Sequence, residues 1–131
     1  MDFDSAHDTF FFDAVGLGGD ADGANFINHS SGKTSHLAVD TFYSGAASGA
    51  NGEHVTVITD RSFASASDAA SAISDEHAGD IIVYLASSTG TANLAYVTSE
   101  NHMDEFARLA NVNSLAELRG LHLTAWDFMF V

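Results

Sequence analysis

Asp80-Ile-Ile-Val-Tyr-Leu-Ala86, the turn Ser87-Ser-Thr-Gly90 and Thr91-Ala-Asn-Leu-Ala-Tyr-Val97 form the stretch whose reading decides the fold. The first segment is the most apolar run in the chain and has strand length, so it is predicted to be a central strand. The small-residue turn folds the second segment back as the other arm of a hairpin. Side chains alternate between the faces of a strand, which puts Ala92, Leu94 and Tyr96 on one side.

Working outward from this hairpin, His54-Val-Thr-Val-Ile-Thr59 alternates branched and polar residues and is a second strand. Between the two, a helix is predicted from about Ser65 to His77. Ser65 and Asp68 make a capping-box pattern, Ala66, Ala69, Ala70 and Ile73 form a narrow apolar stripe, and Gly79 suits the stop. Downstream, Phe106–Val112 is a further strand candidate. Ser114-Leu-Ala-Glu117 is a second capping box, opening a short helix at about 114–119 that carries Leu115 and Leu118 and stops at Gly120. Asp127–Val131 is predicted to be the last strand, entered through Leu121 and Leu123. Upstream, Thr9-Phe-Phe-Phe12 is a short buried strand, core rather than ligand platform. Ala24–Asn28 is a brief extended piece, His36–Tyr43 is β-like, and residues 44–53 form a loop closed by Asn51-Gly52. Strands outnumber helices. The class is therefore α+β, mainly β: an antiparallel or mixed sheet or sandwich with one crossing helix (about 65–77) and a short one (about 114–119).

The 131 residues are expected to form a single domain, 1–131, with a hydrophobic fraction of 46% that excludes a disordered chain. There are no cysteines, so disulfides and thiolate metal sites are excluded. Four Lys and Arg face 18 acidic residues for a formal charge of −14. That field repels nucleic acid and anionic membranes and attracts divalent cations. The alternative reading of the charge is a solubility device or an adaptation to high salt. With no proline, the turns rest on Gly, Asn, Asp and Ser. Met1-Asp2-Phe3-Asp4 is acidic where a signal peptide has a basic region, and no apolar run has membrane-spanning length, so no membrane insertion is expected.

Few residues suggest chemistry. Asp20 and Asp22, in Gly16-Leu-Gly-Gly-Asp-Ala-Asp-Gly23, are spaced to share one hard cation, which makes calcium the candidate cofactor. A Gly/Asp surface turn without metal is the alternative: the EF-hand pattern is absent, and the glycine-rich nonapeptide of calcium-binding β-rolls is half matched once. Gly32-Lys33-Thr34 resembles the end of a phosphate loop, but Ile27 replaces the first glycine and the following residues are β-like. The seven histidines (His7, His29, His36, His54, His77, His102, His122) form no HExxH pair or other tight ligand spacing and are predicted to be structural or surface residues. No G-x-S-x-G elbow marks a nucleophile. No catalytic residue is assigned, and the chain is expected not to be an enzyme. The terminal Asp127-Phe-Met-Phe-Val131 is an apolar end whose exposure would favour aggregation. It is expected to be either a buried strand or an address read by another protein.

Several segments, in order, resemble the C-terminal region of RTX-type bacterial proteins, which are type I-secreted and carry calcium-binding repeats. Glu53–Ile73 is similar to that family's valine-rich strand, Ser-Phe/Tyr-Ala-Ser step and Ala-rich helix. Gly79–Tyr84 and Ser88–Val97 resemble its hairpin, and Phe106–Val112 with Leu121–Phe128 resembles its closing strand and terminal Leu-Thr-Ala-x-Asp-Phe phrase. Asp2–Phe12 is similar to the segment that follows the repeats, whereas the tandem repeats themselves are absent. The resemblance implies export through a type I secretion transporter, an uncleaved C-terminal signal at Asp127, Phe128, Met129, Phe130 and Val131, and calcium-driven folding outside the cell. The expected function is thus a non-catalytic C-terminal module of a secreted, extracellular protein, serving as secretion signal and folding cap. The alternative is a small acidic extracellular binding, adhesin-like or assembly domain without an export role.

Overall fold

In the computed structural model, the residues described are 2–12, 37, 38, 41–99 and 101–130; for 11, 12, 37, 38, 129 and 130 only the backbone is described. The strands are β1 (Phe10–Phe12), β2 (Leu37–Ala38), β3 (Phe42–Gly45), β4 (Val55–Phe63), β5 (Ile81–Ala86), β6 (Thr91–Ser99), β7 (His102–Leu109) and β8 (Phe128–Phe130). Two short helices, α1 (Ala66–Ser71) and α2 (Leu115–Gly120), accompany them. The mainly-β α+β architecture expected from the sequence is the one observed.

Five strands make a mixed sheet in the order β3-β4-β5-β6-β7. β3, β4 and β5 run parallel, and β5, β6 and β7 are antiparallel neighbours. β5 lies at the centre, as its composition requires: Ile81, Ile82, Val83 and Tyr84 are all buried. Alternation sends Ile81 and Val83 to one face with Val55, Val57, Ala92 and Leu94. Ile82 and Tyr84 go to the other face with Ala95 and Val97. α1 and the 3-10 turn Ala47–Gly49 cover that second face through Ala69, Ala70 and Ala47. The first face is covered by α2 and by a three-stranded sheet built from distant parts of the chain.

Several boundaries differ from the sequence reading. The helix expected over 65–77 ends at Ser71, although Ser65 caps it as predicted by accepting the Asp68 N–H at 3.2 Å. Ile73 N–H bonds back to the Ala70 carbonyl, which tightens the last turn. Ser74 then bridges Asn51, and Asp75 takes φ +59°. Gly52, at φ +78°, sits against this reversal; a Cβ there would come 2.9 Å from the Asp75 carbonyl oxygen. The strand expected at 106–112 is displaced to His102–Leu109, since β7 starts from a tight turn at Asn101 (φ +58°). Its polar beginning disguised it. As an edge strand it keeps His102, Asp104 and Glu105 at the surface, which also discourages pairing with other chains. The β-like run 36–43 is divided, with Leu37–Ala38 joining β8 and Phe42–Gly45 joining β4. Ala24–Asn28 lies outside the described residues.

Candidate functional site at the C-terminal strand

The terminal strand is entered through a locally specified turn. The Thr124 backbone N–H donates to Asp127 Oδ2 at 2.7 Å, the Thr124 hydroxyl donates to the same oxygen at 3.3 Å, and the Asp127 N–H donates to the Thr124 carbonyl at 3.0 Å. A short polar side chain three residues after Thr can reach back in this way, so the motif is legible in Thr-Ala-Trp-Asp. Asp127 is buried, and its carboxylate is occupied by this turn. Although expected within the final strand, it lies in a 3-10 turn, Ala125–Asp127, that aims the strand.

Phe128 follows and is fully buried. Its ring lies 5.3 Å from Phe10 in a stacked arrangement and 5.8 Å from Phe42, while Phe10 stacks on Phe3 at 4.3 Å. β8 is the middle strand of the small sheet. It pairs in parallel with β1 (Phe10 opposite Phe128, Phe12 opposite Phe130) and antiparallel with β2 (Leu37 opposite Phe130). The chain's beginning is fastened nearby, because the Asn111 side chain accepts from the Phe3 N–H at 3.1 Å and donates to its carbonyl at 2.9 Å. The Ser5 hydroxyl donates to the Leu121 carbonyl. Of the predicted signal residues, Asp127 and Phe128 are thus built into the fold. The backbones of Met129 and Phe130 extend the strand, and Val131 lies outside the described residues. Trp126 was missed by sequence reasoning. It is 68% exposed, between the half-buried Ala125 and the buried Asp127. The available signal was that the chain's single tryptophan stands in the terminal phrase.

The titratable groups elsewhere divide into satisfied and unsatisfied. Buried Asn93 donates to Glu105 Oε2 at 2.7 Å and accepts from the Thr91 hydroxyl at 2.8 Å, and Arg108 donates to Glu105 Oε1 at 2.7 Å. Burial opposes the Glu105 charge, but the Arg108 and Asn93 hydrogen bonds outweigh it and hold its carboxyl below the ordinary range. Asp80 differs. Its Oδ2 accepts the His77 N–H at 2.8 Å, while Oδ1 is buried with no hydrogen-bond partner. Burial pushes its carboxyl up to about 7, against the His77 bond and with help from the Glu76 and Glu53 charges.

Asp20 and Asp22, the calcium candidates, lie outside the described residues, as do His29 and His36. Among the described residues no three His, Asp or Glu side chains stand together as a metal site. His7 pairs with Asp4 at 2.7 Å on the surface, where that hydrogen bond raises its pKa. No helix among the described residues is long and apolar enough to cross a membrane.

The chain is 50% identical over 140 aligned positions to Nodulation protein O of Rhizobium leguminosarum bv. viciae. The alignment takes in all of this chain and 48% of that protein, so the chain spans about half the length of the relative it matches. No family profile matches the chain. No solved structure matches it.

Proposed function

We propose that this chain is a non-catalytic C-terminal module of an RTX-type bacterial protein exported by a type I transporter, acting as its secretion signal and folding cap. The observation that carries this reading is the position of β8. The terminal apolar residues form the middle strand of a sheet whose partners, β1 and β2, lie far away in the sequence. Such a strand pairs only by closing long loops, so in the unfolded chain it is an accessible apolar end. Folding then buries Phe128 between Phe10 and Phe42. Address and core are therefore successive states of one segment, and export ends when the address is withdrawn.

The relative's name links it to nodulation, and the export reading makes this chain one module of a longer protein that acts outside the bacterium. Calcium is the ion the resemblance implies. Asp20 and Asp22 would hold it, and its binding would favour the folded state by mass action where the ion is abundant. A melting temperature that rises in millimolar calcium, but not for an Asp20→Asn, Asp22→Asn double variant, is the expected result.

The deciding experiment removes Asp127–Val131 and follows export in cells carrying a type I system. The deleted protein is expected to stay inside, while Leu94→Ala, which weakens the core but keeps the end, is still exported. Export of the deletion at the wild-type level would refute the signal role. It would leave the second reading, a small acidic binding domain in which Phe128 is core alone, as its complete burial also allows.

A further inference from the structure

On the face of the sheet nearest α2, a cleft of about 350 Å³ opens between β3, β4 and the end of that helix. Its floor is apolar and buried: Val57 from β4, Leu118 from α2 and Leu123 from the segment after it. Its rim is polar, with Ser44, Thr59, Arg119 and His122. Register explains the first pair, since Ser44 stands opposite Val57 across parallel strands and Thr59 is two residues on, on the same face. Arg119 is held in place by donating through Nη1 to the Thr59 carbonyl at 2.8 Å. That carbonyl is available because the β4–β5 register shifts between Val57 and Ser62.

Arg119 is informative because of the charge around it. In a chain of −14, the arginines Arg61 and Arg108 lie against the carboxylates of Asp60 and Glu105. Arg119 forms no salt bridge with a carboxylate among the described residues and instead lines the cleft with a histidine, two hydroxyl residues and the apolar floor. A guanidinium fixed at one corner presents its free edge as a fork that matches a carboxylate. The long-range field disfavours anions, so only such short-range recognition could hold one here.

We propose that this cleft binds a small carboxylate joined to an apolar body, with Arg119 taking the carboxylate and Val57, Leu118 and Leu123 taking the body. The volume suits a single ring with its substituents, at the small end of ligand pockets. The site lies immediately before the Thr124–Asp127 turn and does not depend on the export reading.

The test is an NMR titration of the full chain with benzoate, and with benzamide as its uncharged counterpart. Benzoate is expected to shift the amides of residues 118–123 and of Ser44 and Thr59 saturably in the millimolar range. Benzamide should bind at least about tenfold more weakly, because it leaves the fork unmatched. Arg119→Gln is expected to abolish the difference between the two probes. Arg119→Lys should weaken benzoate about fivefold by keeping the charge without the fork. Ser44→Phe, a change at an exposed position, fills the mouth and should block both probes whether or not Arg119→Gln folds. Absence of saturable shifts, equal binding of the two probes, or undiminished benzoate binding by Ser44→Phe would overturn the proposal.

Discussion

The two sheets of this molecule are made in opposite ways. In the large sheet, β4, β5, β6 and β7 are neighbours both in sequence and in space, joined by a crossover helix and two tight turns. Its inner strands run six to nine residues. In the small sheet, strands of two or three residues come from three distant places, and β8 meets β1 across most of the chain's length. Loop closure makes such pairing late and costly, whereas hairpins form early. Their packing nevertheless joins them, since Phe128 and Leu94 belong to one apolar cluster. A locally encoded platform closed by a non-local strand is the arrangement that the proposed export role requires, with the end accessible before folding and hidden afterwards.

The comparison is sharpest at Phe128. Phe128→Ala empties a fully buried site between Phe10 and Phe42 and is expected to cost about 3–5 kcal/mol in urea unfolding. If β8 closes late, its loss appears mainly as faster unfolding, with the folding rate nearly unchanged. A matching slowdown of folding would place β8 in the nucleus and erase the distinction between the sheets.

Next in size is a weakness of the large sheet itself, at Asp80. Its carboxyl is raised from 3.8 to about 7, so between those values the folded state holds a proton that the unfolded state has released. That contribution is fully present below pH 3.8 and is lost as pH rises through about 7. The span corresponds to roughly 4 kcal/mol as an upper figure. Asp80→Asn, which cannot ionise, is expected to flatten this part of the stability profile and to unfold at higher urea than the parent at pH 8. An unchanged slope would show that Asp80 is not its source.

Smaller effects separate the turn from the strand it aims. Asp127→Ala removes the acceptor for the Thr124 N–H and is expected to cost about 1 kcal/mol, read as a lower melting temperature. Trp126→Ala, at a 68% exposed position, should change stability by less than about 0.5 kcal/mol. A larger loss would mean that the indole is covered in solution.

Much of the platform was legible. The apolar run at Asp80–Ala86, the alternation at Thr91–Val97 and both serine caps gave the central strand, the hairpin and the starts of both helices. β7 was misplaced because an edge strand needs only one apolar face, so His102–Glu105 resembles a loop. The end of α1 was misplaced because Ser74 has a partner, Asn51, that helix periodicity does not register. The cleft at Arg119 was invisible for a related reason: Ser44, Thr59, Arg119 and His122 belong to no motif and meet only through strand register and the docking of α2.

The sequence by itself determined the central strand and its hairpin, where the two helices start, that no cysteine chemistry is present, and that an exposed apolar end would favour aggregation. These follow from interactions within a few residues and from composition. Tertiary structure alone decided that β8 lies between β1 and β2, that Leu37–Ala38 and Phe42–Gly45 join different sheets, that Asp80 is buried with one oxygen unpaired, and that Arg119 lines a cleft with an apolar floor. Each of these depends on packing or pairing beyond the local segment, where loop entropy, burial and register set the outcome and local pattern carries no record of it.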